Sequence, residues 1–182
     1  MANLFPLIFP HSSDSPEMKK LGIQIEFEVY TKLGSTYDKT VDVVYGPQFI
    51  RENLKGQIRD GEFTDFLIIH PKMGMLFLEC KGGRIEYKSN ERKWYQNDKL
   101  LKQSPIDQAK FGKNSFVRFL KKKNINTDNI PTFHGVIFPN TPKIDGELPP
   151  DISPEMIIWS NDFAILESSL NKLFNLYKRQ YR

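Results

Sequence analysis

Two apolar runs, Phe66-Leu67-Ile68-Ile69 and Met75-Leu76-Phe77-Leu78, stand on either side of His70-Pro71-Lys72-Met73-Gly74. Runs of this kind read as strands covered on both faces, and the proline and glycine between them are turn formers. The spacing predicts strands over Glu62–Ile69 and Met75–Lys81. Paired antiparallel about the turn, with Ile69 opposite Met75 and Leu67 opposite Phe77, they bring Asp65 directly opposite Glu79. Side chains alternate along a strand, so Glu79 and Lys81 share the face of Met75 and Phe77, while Leu76, Leu78 and Cys80 take the other. Two carboxylates and a lysine are thereby expected at one end of a buried strand pair.

Opposed residues have β-carbons roughly 5 Å apart, and like charges facing each other at that distance destabilise the pair unless something neutralises them. A divalent cation is the natural neutraliser. Asp65, Glu79, the backbone carbonyl of Cys80 and waters would supply the hard oxygen ligands that Mg²⁺ or Mn²⁺ takes, leaving positions for a phosphate. Lys81 is placed to orient or deprotonate an attacking water and to stabilise developing charge. A solvated Glu-x-Lys pair is the ordinary reading of so short a motif. The apolar residues that flank all three charges argue against it here, because charges inside such runs are seldom casual.

Around this pair the expected order is α-β-β-β-α-β-β-α. Asp14-Ser15-Pro16-Glu17 has the cap residues of a helix start, followed by apolar residues at Leu21, Ile25, Val29 and Leu33 and an end near Gly34. Thr40–Tyr45 reads as a strand bounded by Gly46-Pro47. Arg84–Tyr87 and Lys93–Gln96 read as a short hairpin after Gly82-Gly83. Ser104-Pro105 opens a second helix to about Lys122, and Phe133–Phe138 and Met156–Trp159 read as strands. A last helix is expected over Asp162–Tyr177. The fold class is therefore α/β, a central mixed sheet flanked by helices. With 182 residues, no internal repeat and no low-complexity linker, one domain is expected over 1–182. It divides into an arm at 1–13, a core at 14–138, and a region at 139–182 with a proline-rich loop, a short strand and a helix.

These words in this order resemble the PD-(D/E)XK nucleases and, within them, the nuclease-related domain family. The resemblance is carried by Glu26 with Val29, Tyr30 and Leu33; by Glu62-Phe63-Thr64-Asp65-Phe66, with Thr64 where the pattern has proline; by Glu79-Cys80-Lys81-Gly82-Gly83-Arg84-Ile85; by Trp94; and by Ser104-Pro105-Ile106-Asp107-Gln108-Ala109. It implies a restriction-endonuclease-like core, a divalent metal at Asp65 and Glu79, a catalytic Lys81, and supporting roles for Glu26 and Gln108. Helical geometry alone leaves Glu26 and Glu28 as equals, and the resemblance selects Glu26. Phe133-His134-Gly135-Val136-Ile137-Phe138-Pro139 is similar to a strand of members fused to superfamily 1 helicases, which implies a helicase domain as partner in cis or trans.

Other residues have simpler expectations. Gln108 either hydrogen-bonds a phosphate or water at the site or is a solvated helix residue. Trp94 is expected to be a packing anchor rather than a base-stacking platform, and Cys80 to be buried and inert. His11, His70 and His134 have no partner visible in sequence. Lys121-Lys122-Lys123 and Lys178–Arg182 read as solvated helix ends, with contact to a nucleic-acid backbone as the alternative. A net charge of +4 favours a polyanionic partner, and the nuclease reading makes that partner DNA before RNA. The lone cysteine excludes an internal disulfide, the apolar Leu4–Phe9 segment lacks a signal-peptide plan, and no apolar stretch is long enough to cross a bilayer. A cytoplasmic location without membrane attachment is expected. The function expected is metal-dependent hydrolysis of phosphodiester bonds, with a non-cleaving nucleic-acid-binding module beside a helicase as the alternative.

Overall fold

The computed structural model describes residues 1–10, 21–52, 58–62, 64–143 and 148–180. In chain order these form β1 (Asn3–Phe5), α1 (Leu21–Thr36), β2 (Asp42–Tyr45), β3 (Gln48–Glu52), β4 (Ile58–Glu62), β5 (Phe66–His70) and β6 (Gly74–Cys80). There follow β7 (Ile85–Lys88), β8 (Lys93–Gln96), β9 (Lys99–Leu100), α2 (Pro105–Lys122), β10 (Thr132–Phe138), β11 (Ile157–Trp159), α3 (Ser160–Phe163) and α4 (Leu166–Gln180). A mixed sheet of order β1-β2-β5-β6-β10-β11 is the backbone of the molecule. β3-β4 and β7-β8-β9 make two small sheets beside it. No helix among the described residues is long and apolar enough to cross a membrane.

β5 and β6 pair as their pattern predicts, with Ile69 opposite Met75 and Leu67 opposite Phe77. The turn between them depends on Gly74, whose φ of +103° is left-handed and whose missing Cβ would fall 2.1 Å from the Pro131 carbonyl oxygen. β6 lies in the middle, antiparallel to β5 and parallel to β10. Both of its faces are covered. Leu76 and Leu78 join Phe66 and Ile68 in the main core with Ile25, Val29 and Leu33 of α1 and Leu170, Leu173 and Phe174 of α4. Leu67, Met75 and Phe77 pack on the opposite face against Phe116 and Leu120 of α2.

α2 is the crossover between parallel strands β6 and β10. It starts at Ser104, whose hydroxyl accepts the Asp107 amide at 3.5 Å, with Pro105 in the first turn. Phe116 meets the Phe77 ring at 5.5 Å and Leu120 packs in the same cluster, and as the return between two parallel strands the helix has to run back along β6. The helix therefore descends β6 from its C-terminal toward its N-terminal end. Its first turn stands above the end of β6 that carries Glu79.

Several boundaries differ from their sequence signals. α1 runs on to Thr36 instead of closing near Gly34. Gly34 is a close-approach site: a Cβ there would meet the Leu4 side chain at 2.9 Å, and its carbonyl accepts the Ala2 amide. The N-terminal arm is thus built into the sheet as β1, parallel to β2. The start signal Asp14–Glu17 and the last two residues of the Lys178–Arg182 end lie outside the described residues. The strand expected over Glu62–Ile69 is divided, because β4 turns back to pair with β3 and β5 begins only at Phe66. The charged and glycine-containing stretch of β3 and β4 lacks a clean apolar alternation, and pairing alone makes it a hairpin. The last helix is likewise two, α3 and α4, so that Leu166, Leu170, Leu173 and Phe174 share one buried stripe.

Gly135 of β10 is the tightest contact between sheet and α4. A Cβ there would lie 2.4 Å from Leu173 Cδ1 and 2.9 Å from the Met156 carbonyl oxygen. Gly135→Ala is expected to lower stability by about 1–3 kcal/mol through overpacking, read as a lower urea midpoint with unchanged slope. An unaltered midpoint would show that α4 can move off β10 at no cost.

Candidate active site

The site forms where β5 fails to begin early. Thr64 and Asp65 precede the first ladder pair of β5, yet both stay bound to β6 through side chains. The buried Thr64 donates its hydroxyl to the Leu78 carbonyl at 2.7 Å. Asp65 Oδ2 accepts the Cys80 amide at 2.6 Å, and the Asp65 carbonyl accepts the Gly46 amide at 2.8 Å. These bonds continue the strand register past its end, so Asp65 takes the position across from Glu79 that the pairing requires.

Glu79 is only 5% exposed. Its Oε1 accepts from Lys81 Nζ at 2.5 Å, an i,i+2 pair on one face of the strand. Cys80, between them, points to the other face and is buried in the main core. In extended backbone the amide and carbonyl of one residue point the same way. The Cys80 amide reaches Asp65, so its carbonyl also lies on the β5 side, while the Lys81 amide turns to Ile137 of β10 at 3.1 Å.

After Lys81 the chain is pinned closely. Gln96 Nε2 donates to the Gly82 carbonyl at 2.8 Å, and Thr141 Oγ1 donates to the Gly83 carbonyl at 2.8 Å while accepting the Ile85 amide at 2.9 Å. A Cβ on Gly82 would fall 2.2 Å from Ile25 Cδ1. The absence of that carbon lets α1 come down beside the site, one residue before Glu26. Glu26 is half-buried and accepts the Tyr45 hydroxyl at 2.6 Å, whereas Glu28 is exposed. Structure thus separates two glutamates that helical geometry left equivalent.

Electrostatics show a crowded negative centre. Burial raises the Asp65 carboxyl well above its ordinary 3.8; the Glu79 charge raises it further, Lys81 lowers it, and Glu26 adds to the rise. Burial alone would lower the Lys81 ammonium, but Glu79 and Asp65 outweigh it and the net shift is upward. The Cys80 thiol is pushed well up, first by burial and then by Asp65, so it stays protonated and inert. Among the described residues no three His, Cys, Asp or Glu side chains are gathered as a metal cage. The donor set is instead two carboxylates and a backbone carbonyl. That set fits a hard divalent ion of the Mg²⁺ type, which uses one or two carboxylates and keeps its remaining positions for water and phosphate.

Of the sequence-derived residues, Asp65, Glu79, Lys81, the Cys80 backbone and Glu26 come together. Gln108, half-buried, sits in the α2 turn that faces the same end of β6; among the described residues its side chain makes no hydrogen bond. Trp94 is a packing residue, buried against Tyr87 and Phe138. His134 is buried on β10, and His70 Nδ1 accepts the Lys72 and Met73 amides in the β5-β6 turn. Two contributors had no sequence signal of their own. Thr64, which stands where the family pattern has proline, holds the register, and Tyr45 bonds Glu26.

An antiparallel strand pair that delivers two carboxylates and a lysine to one end of a helix-flanked mixed sheet defines a restriction-endonuclease-like fold. The family model of the nuclease-related domain matches residues 42–139, more than half of the chain, and the chain belongs to that family. Glu26 precedes the matched span. No curated protein and no solved structure gives a match.

Two substitutions probe this arrangement without any activity assay. Thr64→Val removes the bond to the Leu78 carbonyl at nearly constant volume and is expected to cost about 1–3 kcal/mol, with Thr64→Ser recovering most of it. Equal stability of all three would show that the hydroxyl does not hold the register. Asp65 has a folded-state value raised above its unfolded one, so the neutral acid suits the fold. Its contribution is complete below about 3.8 and is lost as pH rises through the folded value. Asp65→Asn, which keeps an oxygen for the Cys80 amide, should therefore be more stable than wild type in EDTA at pH 7, with the gap closing on acidification. A variant less stable at pH 7 would mean that the ionised carboxylate is a net support.

Proposed function

We propose that the chain is a divalent-metal-dependent nuclease that hydrolyses phosphodiester bonds of DNA. The observation that carries this reading is the pairing of Asp65 with Glu79 across the end of β5-β6, beside Lys81, in a nuclease-related domain. Asp65, Glu79 and the Cys80 carbonyl are the residues to hold Mg²⁺ or Mn²⁺. Bound there, the ion supplies Lewis-acid polarisation of the scissile phosphate and lowers the pKa of water.

The chain's own groups do the rest. Lys81, held against Glu79, donates to the attacking water or to a phosphate oxygen and offsets the charge that develops in the transition state. Glu26, fixed by Tyr45, adds negative charge behind Asp65 and strengthens its hold on a cation. Gln108 has the donor and acceptor to orient a phosphate or water once substrate enters between α2 and the strand end. The buried setting strengthens each of these interactions relative to bulk water.

Incubation with supercoiled, linear and single-stranded DNA is expected to give cleavage with Mg²⁺ or Mn²⁺ and none in EDTA. Asp65→Asn, Glu79→Gln and Lys81→Ala should each reduce it by at least the order of 10²-fold expected for loss of a principal electrostatic group. Glu26→Gln and Gln108→Ala should reduce it less. Full activity in any of the first three, or cleavage that persists in EDTA, would overturn the mechanism. Salt-sensitive DNA binding by wild type with no cleavage under any ion would leave a binding module in place of an enzyme.

A further inference from the structure

We propose that the solvent face of α2 is the track along which a nucleic-acid strand runs away from the reacting phosphate, with Lys110, Lys113 and Arg118 as its phosphate contacts. The proposal rests on the nuclease reading of the site and adds the surface and direction of substrate binding. α2 carries five cations, Lys110, Lys113, Arg118, Lys121 and Lys122, against one acid, Asp107. That excess is as large as the net +4 of the whole chain.

The charges are arranged. Lys110, Asn114, Arg118 and Lys121 follow at i, i+4, i+8 and i+11, which places them in one row along the helix, and all four are exposed. Lys121 pairs with Asp128 at 3.2 Å, and Arg118 Nε donates to the Asn114 carbonyl at 3.2 Å. Among the described residues Lys110, Lys113 and Arg118 form no salt bridge. Elsewhere Arg84 is paired with Asp98 and Lys88 with Glu91.

A second feature lies under the row. Lys113 is half-buried beside β10, where His134 is buried. Burial and then Lys110 hold Lys113 below the usual lysine range. Burial, then Lys113 and Lys110, push His134 down to about 3. With no salt bridge to Lys110 or Lys113 among the described residues, the local potential favours an anion brought from outside. α2 begins above the Glu79 end of β6 and descends from it. From Lys110 to Lys121 the row covers roughly 16 Å at ~1.5 Å per residue. A strand with one phosphate per ~3.4 Å of duplex axis presents several charges over that length.

Binding is measured by fluorescence anisotropy in EDTA, with short duplex and single-stranded DNA probes, between ~50 and ~200 mM salt. The proteins are wild type, Lys110→Gln/Lys113→Gln/Arg118→Gln, the fully exposed pair Lys110→Gln/Arg118→Gln, and a control, Lys32→Gln/Lys39→Gln/Lys172→Gln, on the α1-α4 side. Each lost contact should flatten the slope of log K against log salt by about 0.9 for duplex and about 0.7 for single strand. The triple variant should therefore lose about 2 to 3 units on duplex, the pair about 2, and the control none. The exposed pair keeps the test decisive if Lys113→Gln disturbs folding. Salt-dependent binding by wild type with the same slope in the pair, or an equal loss in the control, overturns the track and leaves the nuclease reading standing. No binding of either probe by wild type overturns both.

Discussion

Everything distinctive about this molecule depends on how β5 is held to β6 beyond the point where its ladder stops. Two side chains carry the register onward: the Thr64 hydroxyl on the Leu78 carbonyl and the Asp65 carboxylate on the Cys80 amide. An ordinary strand would satisfy those groups with backbone and leave its side chains free. Here the carboxylate proposed to hold a metal is also part of the scaffold, so its position is set within the tolerance of a hydrogen bond. Rigid placement of this kind suits the hydrolytic centre proposed for this site, since small displacements of reacting groups carry large costs in rate.

Such placement has an electrostatic consequence. Asp65 is brought beside Glu79 and within reach of Glu26, in surroundings that strip away water, and among the described residues Lys81 answers with positive charge. Gathering these carboxylates beside one another therefore costs stability, which the raised Asp65 value records. Stability and function pull in opposite directions at such a site, which is common where chemistry is done. Burying the charges is possible because the rest of β5 and β6 is covered on both faces by α1, α4 and α2.

The crossover geometry ties this centre to its surroundings. Parallel strands β6 and β10 require a connection that returns over the sheet, and α2 makes it, starting above the C-terminal end of β6. In open α/β sheets that end of the strands is where ligands bind. Gly82 and Gly83 then take the chain out of the sheet. Gly82 leaves room for Ile25 of α1, and Gly83 adopts a left-handed φ of +75° that a side chain would strain. One helix is thereby lowered onto each side of the carboxylate pair.

Much of this was legible in the residues themselves. The apolar runs around Pro71 and Gly74 determined the β5-β6 hairpin and its register, because a slip by one residue would exchange the two buried faces of each strand. The Ser104-Pro105 cap and the apolar spacing of α2 determined that helix almost to the residue. From these followed the convergence of Asp65, Glu79 and Lys81. Tertiary structure alone decided what depends on contacts distant in sequence. Gly34 became a contact for Leu4 instead of a helix end, the N-terminal arm became an edge strand, and β3 and β4 paired despite a weak pattern. Glu26 was separated from Glu28 only by Tyr45, nineteen residues away on another strand. Local periodicity records which face of an element is buried; it carries no record of which remote residue arrives to cover it.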